Sequence, residues 1–62
     1  MKLEVPIGTV VEARLKIDEG KYTDWMPCVR VDRNTLRVIA NDPLWYGSRW
    51  NMRKDAGVEV RR

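Results

Sequence analysis

Residues 11–17 read Val11-Glu12-Ala13-Arg14-Leu15-Lys16-Ile17, and this stretch decides the fold. Apolar and charged side chains alternate along it with a period of two, which is the pattern of a β-strand with one buried and one exposed face. Similar alternations recur through nearly the whole chain, and no stretch shows a sustained helical period. The sequence therefore predicts an all-β protein in which residues 11, 13, 15 and 17 face inward.

Turn residues separate the predicted strands. Asp18-Glu19-Gly20-Lys21 has the composition of a tight turn, with glycine supplying the positive φ, and residues 32–35 and 41–43 have similar turn chemistry. Pro27 removes a backbone donor from the run at 22–31, so we expect an edge position or a bulge there. A leading strand or arm is expected at residues 1–7, and the 62 residues form one domain.

Five short strands joined by tight turns fit an antiparallel barrel, which closes on itself and hides its edges. The strand Gly8-Thr9-Val10-Val11-Glu12-Ala13-Arg14, the acidic turn with glycine and the run Trp25-Met26-Pro27-Cys28-Val29-Arg30-Val31 resemble the SH3-like superfold, and within it the Tudor-like members. The resemblance covers about residues 7–62 and implies a small five-stranded antiparallel SH3-like barrel. It is a pattern of spacings that many unrelated barrels share, so it implies little about function.

The composition argues against several chemistries. The chain has no histidine and one cysteine, Cys28, so an intrachain disulfide is impossible and a tetrahedral zinc site lacks ligands. The hydroxyl groups have no histidine to activate them, and a thiol inside an apolar strand is usually inert packing. We therefore expect no catalytic activity, no metal and no cofactor. The charged first residues and the lack of a long apolar run predict a cytoplasmic protein without membrane contact.

The excess positive charge lies in the second half of the chain. Residues 1–31 hold five Lys or Arg and five acids, whereas residues 32–62 hold seven and four, which accounts for the whole net charge of +3. All but one of those seven bases are arginine, whose planar guanidinium suits phosphates, carboxylates and aromatic faces.

The candidate binding residues combine these bases with aromatic side chains. Tyr22 and Trp25 follow the first turn, and Trp45 and Tyr46 lie in the loop at 43–48. The resemblance to an SH3-like barrel implies that these two groups meet at one end of the barrel. Whether Trp25 and Trp50 belong to the core or to the surface stays open. The predicted binding residues are Tyr22, Trp45, Tyr46, Arg49, Arg53, Lys54, Arg61 and Arg62.

Three kinds of function are compatible with these residues. A basic surface beside exposed aromatics suits nucleic acid, which it would bind by phosphate contacts and base stacking. The same surface suits a protein interface, either with a larger partner that this chain modulates or inhibits or with a second copy in a homodimer. The third and least favoured possibility is an aromatic cage for a methylated Lys or Arg side chain.

Overall fold

The computed structural model describes residues 5–55 and 57–61. These residues form antiparallel strands and no helix, which confirms the all-β prediction, and none of them builds a segment that could cross a membrane as a helix. The strands are β1 (Val10–Asp18), β2 (Lys21–Tyr22), β3 (Met26–Arg30), β4 (Thr35–Val38), β5 (Arg49–Asn51) and β6 (Val58–Arg61). Five of them correspond to the predicted strands, and β2 is a two-residue addition after the first turn.

β1 organises the sheet because it pairs along both of its edges. One edge pairs with β3 through residues 10–13 and, further along, with β2 at residues 16 and 18, and the other edge pairs with β6 through residues 12–15. β4 and β5 follow β3 as hairpin partners, so the strands lie in the order β6-β1-β3-β4-β5, with β2 beside the end of β1. The result is a curled antiparallel sheet that forms a half-barrel.

The predicted closure of the barrel is not seen in the described residues, where β5 and β6 have no strand pairing with each other. At the free edge of β5, Asp55 instead bonds the backbone of Asn51. Its carboxylate accepts the Asn51 N–H at 2.7 Å, and its own N–H donates to the Asn51 carbonyl at 2.8 Å. Backbone groups that a neighbouring strand would have bonded therefore find partners within a turn.

The core lies on the inner face of the curled sheet. Its buried apolar residues are Val5, Val11, Ala13, Met26, Cys28, Leu36, Val38, Trp50 and Val58. The predicted inward face of β1 is confirmed at the first two of its four positions, whereas Leu15 is only half-buried and Ile17 is 55% exposed. The prediction is wrong for Ile17 because β1 continues past the end of β3, where only the short β2 accompanies it.

Cys28 is fully buried and acts as a packing residue. Its thiol donates to the Met26 carbonyl at 3.4 Å, and burial raises the pKa of the thiol to about 11. The thiol is therefore neutral at physiological pH, and it packs in the core as a small apolar group.

Pro27 lies inside β3, between β1 and β4, and both pairings keep an unbroken register, so the prediction of an edge position or a bulge is wrong. Toward β1, Pro27 is opposite Glu12. Hydrogen-bonded and non-hydrogen-bonded pairs alternate along an antiparallel ladder, and the Arg30 N–H donates to the Thr9 carbonyl three positions away. The Pro27–Glu12 pair is therefore one that exchanges no hydrogen bonds. Toward β4 its carbonyl still accepts the Ile39 N–H at 3.0 Å, just beyond the last residue of that strand. The missing donor thus falls where the β3–β4 ladder ends, which is how an inner strand accommodates proline.

The segment before β1 covers the core. Val5 is buried, and its carbonyl accepts a hydrogen bond from the guanidinium of Arg30, which also donates to the carbonyls of Asp32 and Arg33. Of the leading strand or arm predicted at residues 1–7, residues 1–4 lie outside the described part of the chain.

Candidate functional site

The outer face of the sheet, turned away from the core, carries the charged side chains of the strands. On the β1–β6 side, each arginine lies directly opposite a glutamate. Arg14 contacts the Glu59 carboxylate through Nη2 at 2.7 Å and Nε at 2.9 Å, and Arg61 Nε lies 3.3 Å from the Glu12 carboxylate. This half of the outer face is therefore electrically balanced within the chain.

The same two arginines stack on aromatic rings. The Arg14 guanidinium carbon lies 4.2 Å from the centre of the Tyr22 ring and 4.8 Å from that of Trp25, and the Arg61 carbon lies 4.3 Å from that of Trp25. Such distances allow cation–π attraction. Trp25 is half-buried under these two guanidiniums, so it belongs to the outer surface rather than the core.

The β4–β5 side of the outer face has the opposite character. Arg37 on β4 lies directly opposite Arg49 on β5, and both side chains are exposed. Hydrogen bonds from the Val38 N–H to the Ser48 carbonyl and from the Met52 N–H to the Asn34 carbonyl fix the register of these strands. That register puts the two arginines at a non-hydrogen-bonded pair, where opposing side chains are closest.

Nothing within the described residues neutralises this arginine pair by an ion pair: the ion pairs seen there involve Arg14, Lys16 and Arg61. Like charges directly opposite each other destabilise a sheet. An anion held between two guanidiniums would remove this repulsion.

The positive charge of Arg49 influences one carboxylate, that of Asp32. The pKa of Asp32 is lowered, mainly because the Asn34 N–H donates to its carboxylate at 2.9 Å, with further lowering by hydrogen bonds from Thr35 and by the charge of Arg49. The Asp32 carboxylate is thus occupied in organising the β3–β4 turn.

Further positive charge continues from the arginine pair along β5 into the turn that follows it. Arg53 and Lys54 are exposed, and with Asn34 and Asn51 they line an open cleft at this end of the sheet. The Asn51 side-chain oxygen accepts the N–H groups of both basic residues, at 2.9 and 3.0 Å, and so orders this turn. We call Arg37, Arg49, Arg53 and Lys54 the basic strip.

At the other end of the arginine pair, the loop between β4 and β5 presents apolar side chains to solvent. Tyr46 is 65% exposed and Leu44 is 75% exposed. Trp45, between them, is half-buried and packs edge-to-face on the core residue Trp50, with ring centroids 6.0 Å apart. Adjacent residues in this loop thus have different environments, one anchored and two exposed.

Hydrogen bonds from backbone N–H groups to Asp42 organise this loop. The Asp42 carboxylate accepts the N–H groups of Leu44 and Trp45 at 2.8 and 2.9 Å, and the Asp42 carbonyl accepts the Tyr46 N–H at 2.9 Å. Gly47, with a φ of +82°, then returns the chain to β5, and its N–H donates to the Val38 carbonyl. The exposed side chains therefore sit on an ordered turn.

The predicted binding residues fall into distinct environments. Tyr22 and Arg61 take part in the stacked and ion-paired half of the outer face, whereas Trp45 is anchored on the core. Tyr46 and three members of the basic strip, Arg49, Arg53 and Lys54, are exposed. Arg62 lies outside the described residues.

Arg37 is not among the binding residues predicted from the sequence, although the sequence pattern indicates that its side chain is exposed. It lies between the inward-facing Leu36 and Val38, so alternation alone places it on the outer face. What alternation does not reveal is the residue opposite, because that depends on the register between β4 and β5.

The part of the chain described here contains no group of three or more acidic or cysteine side chains placed to hold a metal ion. Comparisons of the chain with protein-family models, with curated proteins and with solved structures found no match. The case for a function therefore rests on the geometry of the outer face.

Proposed function

We propose that this protein is a small non-enzymatic binding module that contacts nucleic acid through the basic strip. The observation that carries the proposal is the arginine pair: Arg37 and Arg49 face each other across two strands, while Arg14 and Arg61 each face a carboxylate. A phosphate group has the charge and the acceptor oxygens to bridge two guanidiniums. Arg53 and Lys54, further along, would contact neighbouring phosphates.

We also propose that the half-barrel is of the SH3-like type. Support comes from the strand order, because the last strand, β6, pairs with β1, and β3, β4 and β5 follow as consecutive hairpins. In this arrangement β2 is a short additional strand within the connection between β1 and β3. The fold itself does not select a ligand, so the surface decides the function.

One observation favours a second function, a protein interface. The exposed Leu44 and Tyr46, with Ile39 at 41% exposure, give the β4–β5 loop an apolar surface of the kind that interaction sites use. A methyl-lysine cage has less support, because the protein's own guanidiniums already lie over the Tyr22 and Trp25 rings.

The test compares arginine variants with a matched control for binding to a fluorescent random-sequence oligonucleotide at low salt. Arg37→Gln and Arg49→Gln each remove one charge from the pair. Lys21→Gln removes one charge from the exposed β2, which pairs with the end of β1 and not with β4 or β5. We expect both arginine variants to bind more weakly than the wild type and the lysine variant to bind almost normally.

Two results would contradict the proposal. One is equal loss of affinity in all three variants, which would indicate a diffuse effect of net charge. The other is the absence of wild-type binding at low salt, which would favour the protein interface.

A further inference from the structure

The ordered β4–β5 loop lies next to the arginine pair in the chain and in the sheet. It leaves β4 directly after Val38, one residue beyond Arg37, and returns to β5 at Arg49. Ile39, at the start of the loop, follows Arg37 by two residues and is 41% exposed. Apolar side chains and paired guanidiniums thus adjoin at one end of β4 and β5.

From this juxtaposition we infer that the nucleic acid is single-stranded and that Tyr46 stacks on one of its bases. The inference rests on the proposed function and adds the form of the ligand. The faces of bases inside a duplex are covered by their neighbours, whereas a single strand offers them to an aromatic side chain. Tyr46 is 65% exposed and lies three residues before Arg49, so a single strand could place a base on Tyr46 and its backbone on the arginine pair.

The hydrogen bonds and the aromatic contact within the loop support this role. Asp42 holds the turn through three hydrogen bonds to backbone N–H groups, and Trp45 anchors it on Trp50. Binding would therefore order few additional groups, so stacking on Tyr46 would lose little conformational entropy.

The test measures the affinity of the protein for a fluorescent single strand and for the duplex of the same sequence and length. Wild type is compared with Tyr46→Ala, Tyr46→Trp and, as a control, Ile17→Ala, which shortens an exposed apolar side chain at the end of β1. Thermal melts verify that each variant is folded. We expect the wild type to prefer the single strand.

Tyr46→Ala should weaken single-strand binding by roughly 5- to 150-fold, the range expected for loss of one stacked base. Its affinity for the duplex should stay the same, Tyr46→Trp should retain binding, and the control should match the wild type. Equal affinity for the two forms, or unaltered single-strand binding by Tyr46→Ala, would overturn the inference. If either result were found but Arg37→Gln still weakened oligonucleotide binding, the proposed function would stand without the stacking on Tyr46. Lack of binding to either form would overturn both.

Discussion

At the scale of single residues, Gly57 controls how β6 meets β1. Its φ is +87°, its carbonyl accepts the Lys16 N–H at 3.1 Å, and a Cβ atom added to it would lie 2.5 Å from the Cβ of Lys16. Because that neighbour is the stem of a side chain on β1, a small rotation cannot move it away. Glycine is therefore required here by both backbone conformation and space.

We expect Gly57→Ala to destabilise the protein more than Gly20→Ala. Gly20, in the turn between β1 and β2, also has a positive φ of +70°, but a Cβ there would meet no atom within 4 Å. Its substitution should cost about 1–2 kcal/mol for the left-handed backbone alone, whereas Gly57→Ala adds the clash. Urea denaturation of both variants measures the difference. Equal losses of stability would show that β6 does not pack against Lys16 as described.

The glycine in the Asp18–Lys21 turn was predictable, because turn chemistry is local. The environment of Trp25 was not. Its ring contacts Arg14, eleven positions earlier in the chain, and Arg61, far along it, and only the pairing of β1 with β6 brings those guanidiniums together. Contacts between distant strands depend on register, which residue types alone do not define.

At the scale of strands, β4 and β5 combine favourable and unfavourable pairs. On the inner face Leu36 lies opposite Trp50, and both are buried. On the outer face Arg37 lies opposite Arg49. The apolar pair stabilises the hairpin, and the arginine pair opposes it.

Reversing one charge of the pair should therefore stabilise the free protein. Arg37→Glu places a carboxylate opposite Arg49, and we expect a gain of about 0.2–1 kcal/mol in the free energy of unfolding. Arg14→Glu is a control that should instead lower the free energy of unfolding. The new carboxylate would lie opposite that of Glu59, and the stacking of Arg14 on Tyr22 would be lost. Thermal or urea denaturation at low salt measures both variants. A loss of stability in Arg37→Glu would mean that the two arginines do not repel each other in the native sheet.

At the scale of the whole molecule, alternation and turn residues were sufficient to predict an all-β fold and most of its strands. They did not predict where the sheet stops, because the backbone of Asn51, at the free edge of β5, bonds Asp55 of the following turn and not another strand. Similarly, counting bases located the excess charge in the second half of the chain but did not separate Arg61, which pairs with Glu12, from Arg49. The asymmetry of the outer face appears only once the strands are paired.

The most direct test of this asymmetry is the salt dependence of oligonucleotide binding by wild type and by Arg37→Gln/Arg49→Gln. If each arginine contacts a phosphate, the double variant should have a slope of log K against log salt that is smaller by about 1.4 for single strands, or about 0.7 per lost contact. Arg61→Gln, which alters the balanced half of the outer face, should leave the slope close to that of the wild type. Parallel lines for wild type and the double variant would contradict the account, because they would show that the arginine pair releases no counterions on binding.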